Sequence, residues 1–240
     1  MIARLRGLLL MGFWSLVVAT IAPIVVTLTR LTGNENFIYV PIRGFVRAGL
    51  KLAGVRVSVE GIGLLDPART YVFTPNHQSV IEVPLMVTYL GRNTAFLAKK
   101  ELFEIPIFGT GMKQIGIIPV DRSNSAAAIE SARKATVNLK AGKSYVVYPE
   151  GTRSPDGKPQ AFKKGAFLMA IDAGVSVVPI TVSGSSTVMP KGKVKVFPGT
   201  IRLTIHEPVS TEGYSRANVS DLVHRVRTTV LSGLTGNAFT

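Results

Sequence analysis

Short runs of β-branched residues alternate with helical patterns from Val55 onward. Runs of this length, rich in Val, Ile, Thr and aromatic residues and bounded by turn residues, are typical of buried strands. The predicted strands are Arg56 to Glu60, Tyr71 to Thr74, Thr94 to Ala98, Ile115 to Val120, Ser144 to Tyr148, Val175 to Val182, and Lys193 to Ile205 with a break at Pro198-Gly199.

Four stretches between these runs carry the 3.6-residue period of an amphipathic helix, and Gly142 and Gly174 are the expected stops of two of them. They are Ser79 to Leu90, Ser123 to Ala141, Lys163 to Ala173 and Arg216 to Leu231. Strands that alternate with helices predict an α/β domain with a largely parallel central sheet flanked by helices. Ligands of such sheets collect at the carboxyl ends of the strands.

The N-terminal part of the chain has a different pattern. Leu8 to Thr29 contains no charged residue, and as a helix its roughly 22 residues would reach about 33 Å, close to the hydrocarbon thickness of a bilayer. Pro23 should kink this helix. We expect the segment to be retained, because a signal peptide has a shorter apolar stretch and a small-residue cleavage site.

A second apolar segment, Phe37 to Ala53, is amphipathic, with Arg43, Arg47 and Lys51 four residues apart on one helix face. Basic residues flank the first segment on both sides, which favours a two-helix hairpin dipped into one leaflet over a single span. Burial of both helices in a soluble core is the remaining interpretation. We therefore divide the chain into a membrane-docking hairpin, residues 1–54, and a single α/β domain, residues 55–240.

Composition supports a membrane partner. The 240 residues carry a net charge of +14 and a pI near 10.3, yet the mean hydropathy is +0.31. A basic and apolar chain suits an anionic bilayer better than nucleic acid, since few aromatic residues lie near the basic ones. The chain has no cysteine, which excludes disulfides, thiolate nucleophiles and Cys-ligated metals.

His77 is the candidate general base. It follows the predicted strand Tyr71 to Thr74 and precedes a predicted helix, whereas His206 and His224 lie where structural or solvated roles are expected. If Ser79 caps that helix, the Glu82 carboxylate turns back toward His77 and can fix its tautomer. The same spacing is also a capping box with no catalytic purpose, so the pattern alone leaves both interpretations open.

Basic residues follow several predicted strands. Lys99 and Lys100 follow one strand, Arg122 follows the next, and Arg153 ends the Glu150-Gly151-Thr152-Arg153 segment after a third. Cations at one rim of a sheet form a pocket for an oxyanion, and Arg grips phosphate with two donors. The predicted ligand is therefore a phosphate. The alternative for any single one of these basic residues is that it is a solvated surface charge. Lys163 and Lys164 are weaker candidates for the same phosphate pocket.

Several competing motifs fail. Gly151 to Lys158 has five residues between its glycines and Pro159 where a P-loop needs a hydroxyl residue. No Gly-x-Ser-x-Gly elbow exists, and His77 has no surrounding acidic cluster for a metal. We expect neither a metal nor a resident cofactor.

The ordered motifs resemble those of the glycerolipid acyltransferase family, typified by 1-acylglycerol-3-phosphate acyltransferase. The matching segments are Asn76-His77-Gln78-Ser79 with an acid at Glu82, Gly116 to Arg122, Glu150-Gly151-Thr152-Arg153, Val177-Val178-Pro179-Ile180, and the Lys99-Lys100 and Lys163-Lys164 segments. The N-terminal pair is similar to the membrane-docking hairpin of bacterial members. One departure is that the usual acid of the first motif is Asp, one methylene shorter than Glu82.

The resemblance implies transfer of an acyl group from acyl-CoA or acyl carrier protein to the sn-2 hydroxyl of lysophosphatidic acid, without an acyl-enzyme. It implies His77 as base and Glu82 as its partner. Lys99, Lys100, Arg122, Gly151, Thr152 and Arg153 would hold the phosphate, with Glu150 orienting Arg153 or a backbone amide. Asn76, Ser79, Gly116 and Pro179 would support the motifs. Membrane phospholipids are expected partners, on the cytoplasmic face of a bacterial inner membrane.

Other acceptors remain open: glycerol 3-phosphate, another lysophospholipid, or a lyso-ornithine lipid. A non-catalytic protein that binds anionic lipid through its basic rim is the alternative from another functional class.

Overall fold

The computed structural model describes residues 1–121, 123–154 and 158–235. The strands are β1 Val55–Glu60, β2 Tyr71–Pro75, β3 Thr94–Lys99, β4 Ile118–Val120, β5 Ser144–Val146, β6 Ser176–Ser183 and β7 Gly199–Ile205. The helices are α1 Ile2–Thr20, α2 Ala22–Thr32, α3 Asn36–Leu52, α4 Glu82–Tyr89, α5 Phe108–Gln114, α6 Ser125–Lys140, α7 Gly165–Ala173, α8 Ser185–Val188 and α9 Val219–Thr235.

The strands form one sheet in the order β1-β7-β6-β2-β5-β3-β4. Neighbours are parallel except β6 and β7, which are antiparallel. The predicted α/β class with a largely parallel sheet is confirmed. Because β7 and β1 run opposite to the other strands, they begin at the sheet edge where β2 and β6 end.

Alternate side chains of the strands enter two cores. On one face Phe73 packs with residues of α3 and α4, and on the other Val72 packs with residues of α6, α7 and α9. This alternation is the period-2 geometry of a strand covered on both faces.

The N-terminal segment is two helices and not one. The helix is interrupted at Ile21, which ends α1 and precedes α2. Pro23 occupies the first turn of α2, where its missing amide costs no hydrogen bond. An 18-residue window of α1 has a mean hydropathy of 1.6, so α1 is long and apolar enough to cross a membrane by length and composition. Its one buried residue is Gly7, while Leu10 and Trp14 are partly buried against the core.

α3 differs from α1 because it belongs to the core of the α/β domain. Ile38, Tyr39, Val46 and Leu50 are buried there, and the Tyr39 hydroxyl donates to Thr94 O at 2.8 Å. Arg43 donates to Val87 O at 3.2 Å, so part of the basic face packs against α4. The division at residue 54 therefore marks a change of composition and not a boundary between two cores.

Three predicted strands were too long, and one of them, Ser144 to Tyr148, ends at Val146. Ile115 to Ile117 is not strand, because Ile115 terminates α5, an unpredicted helix, and Gly116 adopts a left-handed φ of 77°. Residues 193–198 also lie outside β7, and in this segment Val196 N donates to Ala3 O of α1 at 3.0 Å. The segment pairs with a helix end instead of a strand.

Candidate active site

The site begins where β2 ends. Asn76 follows Pro75 and is fully buried; its side chain donates to Val182 O at 2.9 Å and accepts from Val182 N at 2.7 Å. These two bonds tie the residue to the end of β6, so Asn76 is a structural clamp. The next residue, His77, is thereby presented at the carboxyl edge of the sheet.

His77 and Glu82 form a hydrogen-bonded pair. The Nδ1 atom of His77 lies 2.8 Å from Glu82 Oε2, and the two side chains are 12% and 0% exposed. The longer side chain of Glu82, compared with the usual Asp, thus reaches the imidazole. With Nδ1 donating to the carboxylate, the lone pair of Nε2 is left to accept a proton.

The capping box is only half formed. α4 begins at Glu82 with Ile81 as its N-cap and no side-chain cap, so the predicted helix start at Ser79 is wrong. The Ser79 hydroxyl instead donates to Met189 O at 2.7 Å, while Ser79 N donates to the Glu82 carboxylate at 2.9 Å. Glu82 therefore binds the backbone and the histidine at once, so the spacing produces both the pair with His77 and half of a capping box.

Two further donors complete the surroundings of Glu82. Gln78 N donates to it at 3.0 Å, and the Ser185 hydroxyl, at the start of α8, donates at 2.5 Å. A buried carboxylate that accepts this many hydrogen bonds is held in one orientation. Ser185 lies about a hundred residues away in sequence, so no local spacing pointed to it.

Tyr148 is a second residue that the sequence motifs did not single out. Its ring stacks on the His77 imidazole with centroids 3.9 Å apart and planes 28° apart. Its hydroxyl is buried and has no hydrogen-bond partner within the described residues. Burial, and secondly the charge of Glu82, raise the pKa of the Tyr148 phenol, so it stays neutral.

Glu150 is buried beneath the site. It accepts from His77 N at 2.8 Å and from Gln160 N at 3.1 Å. Among the described residues Glu150 accepts from these two backbone amides and from the Gln160 side chain, so of its two expected roles the contact with a backbone amide is the one observed. Burial raises the pKa of Glu150, and the two amide hydrogen bonds act in the opposite direction.

Arg153 and Gly151 lie on the loop that carries Glu150. The backbone of this loop is joined to the His77 segment, since Ser154 N donates to His77 O at 2.8 Å. Gly151 has a φ of 75°, and an added Cβ would lie 3.1 Å from Lys163 Nζ. The ammonium of Lys163 is thus beside the loop of Arg153, while Thr152 is exposed. Two cations and the His77 segment share this part of the rim.

Lys99 and Lys100, two other predicted phosphate ligands, lie at the end of β3. Lys99 pairs with Glu101 at 3.3 Å and Lys100 with Asp121 at 2.6 Å, both at the exposed end of β3. The Lys100 hydrogen bond is the main reason that the pKa of the Asp121 carboxyl lies well below its usual range. Arg122 lies outside the described residues.

The remaining motif residues are structural. The left-handed conformation of Gly116 lets the chain turn away after α5. The Gly116 carbonyl accepts from the Tyr145 hydroxyl at 2.6 Å. Pro179 is buried inside β6, where its carbonyl accepts from His206 N. His206 itself bonds Thr181, and His224 is exposed on α9.

Comparison with known proteins agrees with this arrangement. The family model described as Acyltransferase matches residues 56–183, which include the His77 pair and the Arg153 loop. The chain belongs to the acyltransferase family. It is therefore assigned to a class of group-transfer enzymes.

Several relatives carry more specific names, and two of them illustrate the similarity. A chloroplastic 1-acyl-sn-glycerol-3-phosphate acyltransferase of Arabidopsis thaliana is 36% identical over 156 residues, which are 64% of this chain and 44% of that protein. The 1-acyl-sn-glycerol-3-phosphate acyltransferase alpha of Homo sapiens is 33% identical over 182 residues, 75% of this chain and 64% of that protein. The chain thus spans about half to two thirds of these relatives.

One solved structure is similar over nearly its whole length. The crystal structure of the 1-acyl-sn-glycerophosphate (LPA) acyltransferase PlsC from Thermotoga maritima has a TM-score of 0.85 and 28% identity. The match covers 99% of this chain and 98% of that one, so the N-terminal helices are included.

Proposed function

We propose that this protein transfers an acyl group from an acyl thioester to the sn-2 hydroxyl of 1-acylglycerol 3-phosphate, producing phosphatidic acid. The observation that carries the proposal is the His77–Glu82 pair at 2.8 Å, next to the Arg153 loop, in a chain of the acyltransferase family. The names of its relatives support this acceptor.

His77 acts as the general base. Its Nε2 takes the proton of the acceptor hydroxyl while the hydroxyl oxygen attacks the thioester carbonyl. A new C–O bond forms, the tetrahedral intermediate collapses with cleavage of the C–S bond, and the imidazolium returns its proton to the departing thiolate. The proton balance closes without an acyl-enzyme.

Glu82 and Tyr148 hold the base. The Glu82 carboxylate keeps the proton on Nδ1 and stabilises the imidazolium that forms during the reaction. The Tyr148 ring restrains the imidazole plane from its face. Glu150 fixes the backbone of His77 and Gln160, so the base and the Arg153 loop keep their relative positions.

Arg153 is the principal ligand of the acceptor phosphate, with Lys163 beside it and the exposed Thr152 on the same loop. A guanidinium that forms no ion pair within the described residues can offer two donors to a phosphate. Lys99 and Lys100 already have carboxylate partners, which assigns them a weaker part. Arg122 is also proposed as a phosphate ligand, because it belongs to the Gly116 to Arg122 motif.

The acceptor lipid reaches this site from a membrane. α1 exposes Leu5, Leu8, Leu9 and Leu16, and the net charge of +14 attracts an anionic surface. We assign the protein to a membrane and, for a bacterial cell, to the cytoplasmic face of the inner membrane. Fractionation of cells that produce the full chain tests this location.

A donor and acceptor panel tests the reaction. Purified protein is given acyl-CoA or acyl carrier protein together with 1-acylglycerol 3-phosphate, glycerol 3-phosphate, another lysophospholipid or a lyso-ornithine lipid. The proposal requires phosphatidic acid to be the main product. If another acceptor is acylated preferentially, that acceptor is the substrate in place of 1-acylglycerol 3-phosphate. If no thioester is consumed with any acceptor, the proposed reaction is contradicted.

A further inference from the structure

A second basic cleft lies apart from His77. It opens between the last turn of α3, the start of β1 and the Pro198–Gly199 turn, and has a volume of about 590 Å³. Its floor includes the buried Leu50 and Val55.

Three cations line this cleft: Arg47, Lys51 and Arg56. Arg47 and Lys51 are one helical turn apart, and Arg56 comes from the edge strand. No carboxylate lines the cleft, and within residues 1–121, 123–154 and 158–235 none of the three forms an ion pair. The cleft therefore concentrates uncompensated positive charge.

One of the cations is held in place by an aromatic ring. The Arg47 guanidinium lies 5.8 Å from the centroid of the Tyr89 ring, which also lines the cleft. A cation–π contact restrains the guanidinium without neutralising it. Arg47 thus remains available to an anion while losing less freedom on binding than a solvated arginine would.

The cleft is on the same edge of the sheet as the catalytic pair but is separate from the Arg153 loop. β1 is three strands from β2 and four from β5 in the sheet order, which at the usual spacing corresponds to about 14 Å and about 19 Å. An acceptor phosphate at Arg153 therefore does not occupy it.

We propose that this cleft binds a phosphate group of a ligand other than the acyl acceptor, through Arg47, Lys51 and Arg56. Two sources have this chemistry. One is the headgroup of an anionic phospholipid, since Leu52 beside the cleft is 72% exposed and α3 continues the apolar helices α1 and α2. The other is a phosphate of the thioester donor's carrier, a source that rests on the proposed function. The proposal goes beyond the transfer reaction and needs no turnover to be tested.

The test compares two double variants of the full chain in detergent or on vesicles. Lys51→Gln with Arg56→Gln removes two cations of the cleft and leaves the Arg47–Tyr89 contact. Arg133→Gln with Lys134→Gln is the matched control, because it removes the same charge from α6 on the opposite face of the sheet. Arg47→Gln removes the third cation of the cleft, and thermal unfolding checks that all three variants remain folded.

Two probes distinguish the sources. Titration calorimetry measures binding of coenzyme A, and sedimentation measures binding to phosphatidylcholine vesicles with and without phosphatidylglycerol. The cleft variant should lose about tenfold in affinity relative to the control in one of the two assays, with a smaller loss in Arg47→Gln. Loss with coenzyme A identifies the donor carrier, and loss with phosphatidylglycerol vesicles identifies the lipid headgroup. Equal affinities of the cleft variant and the control in both assays would overturn the proposal, whether or not the protein transfers acyl groups.

Discussion

The ring and the hydroxyl of Tyr148 have separable roles. Tyr148→Phe keeps the stack on His77 and removes a buried hydroxyl without a partner, so we expect near-normal turnover and about 1 kcal/mol more stability. Tyr148→Leu removes the stack and should lower kcat about tenfold. Steady-state kinetics and urea unfolding of both variants measure these effects.

A result in which Tyr148→Phe loses as much activity as Tyr148→Leu would assign the role to the hydroxyl. Equal activity of Tyr148→Leu and the unmodified protein would remove the ring from the site.

Arg153 is expected to bind the acceptor through its phosphate. Arg153→Ala should raise the KM for lysophosphatidic acid about tenfold to a hundredfold and change kcat less, since a charge-assisted pair is lost. Monoacylglycerol, which lacks the phosphate, is the matched control acceptor, and its slower reaction should be insensitive to the substitution. An unchanged KM and kcat/KM for lysophosphatidic acid would exclude Arg153 from the phosphate site.

The sequence was most informative about the site where partners are close along the chain. His77 and Glu82 are five residues apart, so a turn before a helix is enough to predict their contact. Tyr148 and Ser185 reach the same pair from about seventy and a hundred residues away, and only the folded sheet brings them there. Lys99 and Lys100 remain predicted phosphate ligands, and the structure adds that they form ion pairs with Glu101 and Asp121.

At the scale of elements, His206 joins β7 to β6 and α9. The Thr181 hydroxyl donates to Val230 O at 2.8 Å, so it accepts from Nε2 of His206, also at 2.8 Å. Burial lowers the pKa of His206 below its usual 6.5. As pH falls below about 6.5 the unfolded chain gains a proton at this residue before the folded protein does, and the free energy of unfolding decreases.

We therefore expect His206→Gln, which keeps an N–H donor for Thr181, to lose less stability than the unmodified protein between about pH 7.5 and about pH 5.5. Urea unfolding of both proteins at the two pH values measures the difference, and every other titrating group is common to both. Parallel pH profiles would show that His206 does not titrate differently in the folded state.

The ends of helices were predictable where the hydrophobic period and a helix-stopping residue indicate the same position. α7 ends before Gly174 as expected. The start of α4 was not predictable, because the Ser79 hydroxyl is used by Met189 and the helix begins at Glu82. Residues 193–198 have a strand-like composition but lie against α1, a contact that no local pattern encodes.

For the whole molecule, membrane attachment should depend on α1. Deletion of residues 1–21 should leave a folded but less stable protein, because α1 adds only the partly buried Leu10 and Trp14 to the core, and should reduce binding to anionic vesicles about tenfold or more. Circular dichroism and vesicle sedimentation measure the two effects. Undiminished sedimentation of the shortened protein would assign attachment to other surfaces.

The class of the whole fold followed from alternating strands and helices, but the order of the strands did not. β1 pairs with β7 through partners such as Val55 and Gly199, which are distant in sequence. Such pairings depend on how long connections cross the sheet, and periodicity carries no information about them. The same holds for α3, whose amphipathic pattern fits a membrane surface as well as the core that it enters.

The formation of phosphatidic acid by the His77→Ala variant tests the account most directly. The account predicts a loss of about 10² to 10⁴ in rate at saturating substrates, with folding and vesicle binding unchanged. His224→Ala, which removes an exposed histidine of α9, is the control and should retain full activity. Phosphatidic acid formation by His77→Ala at a near-normal rate would contradict the assignment of His77 as the general base.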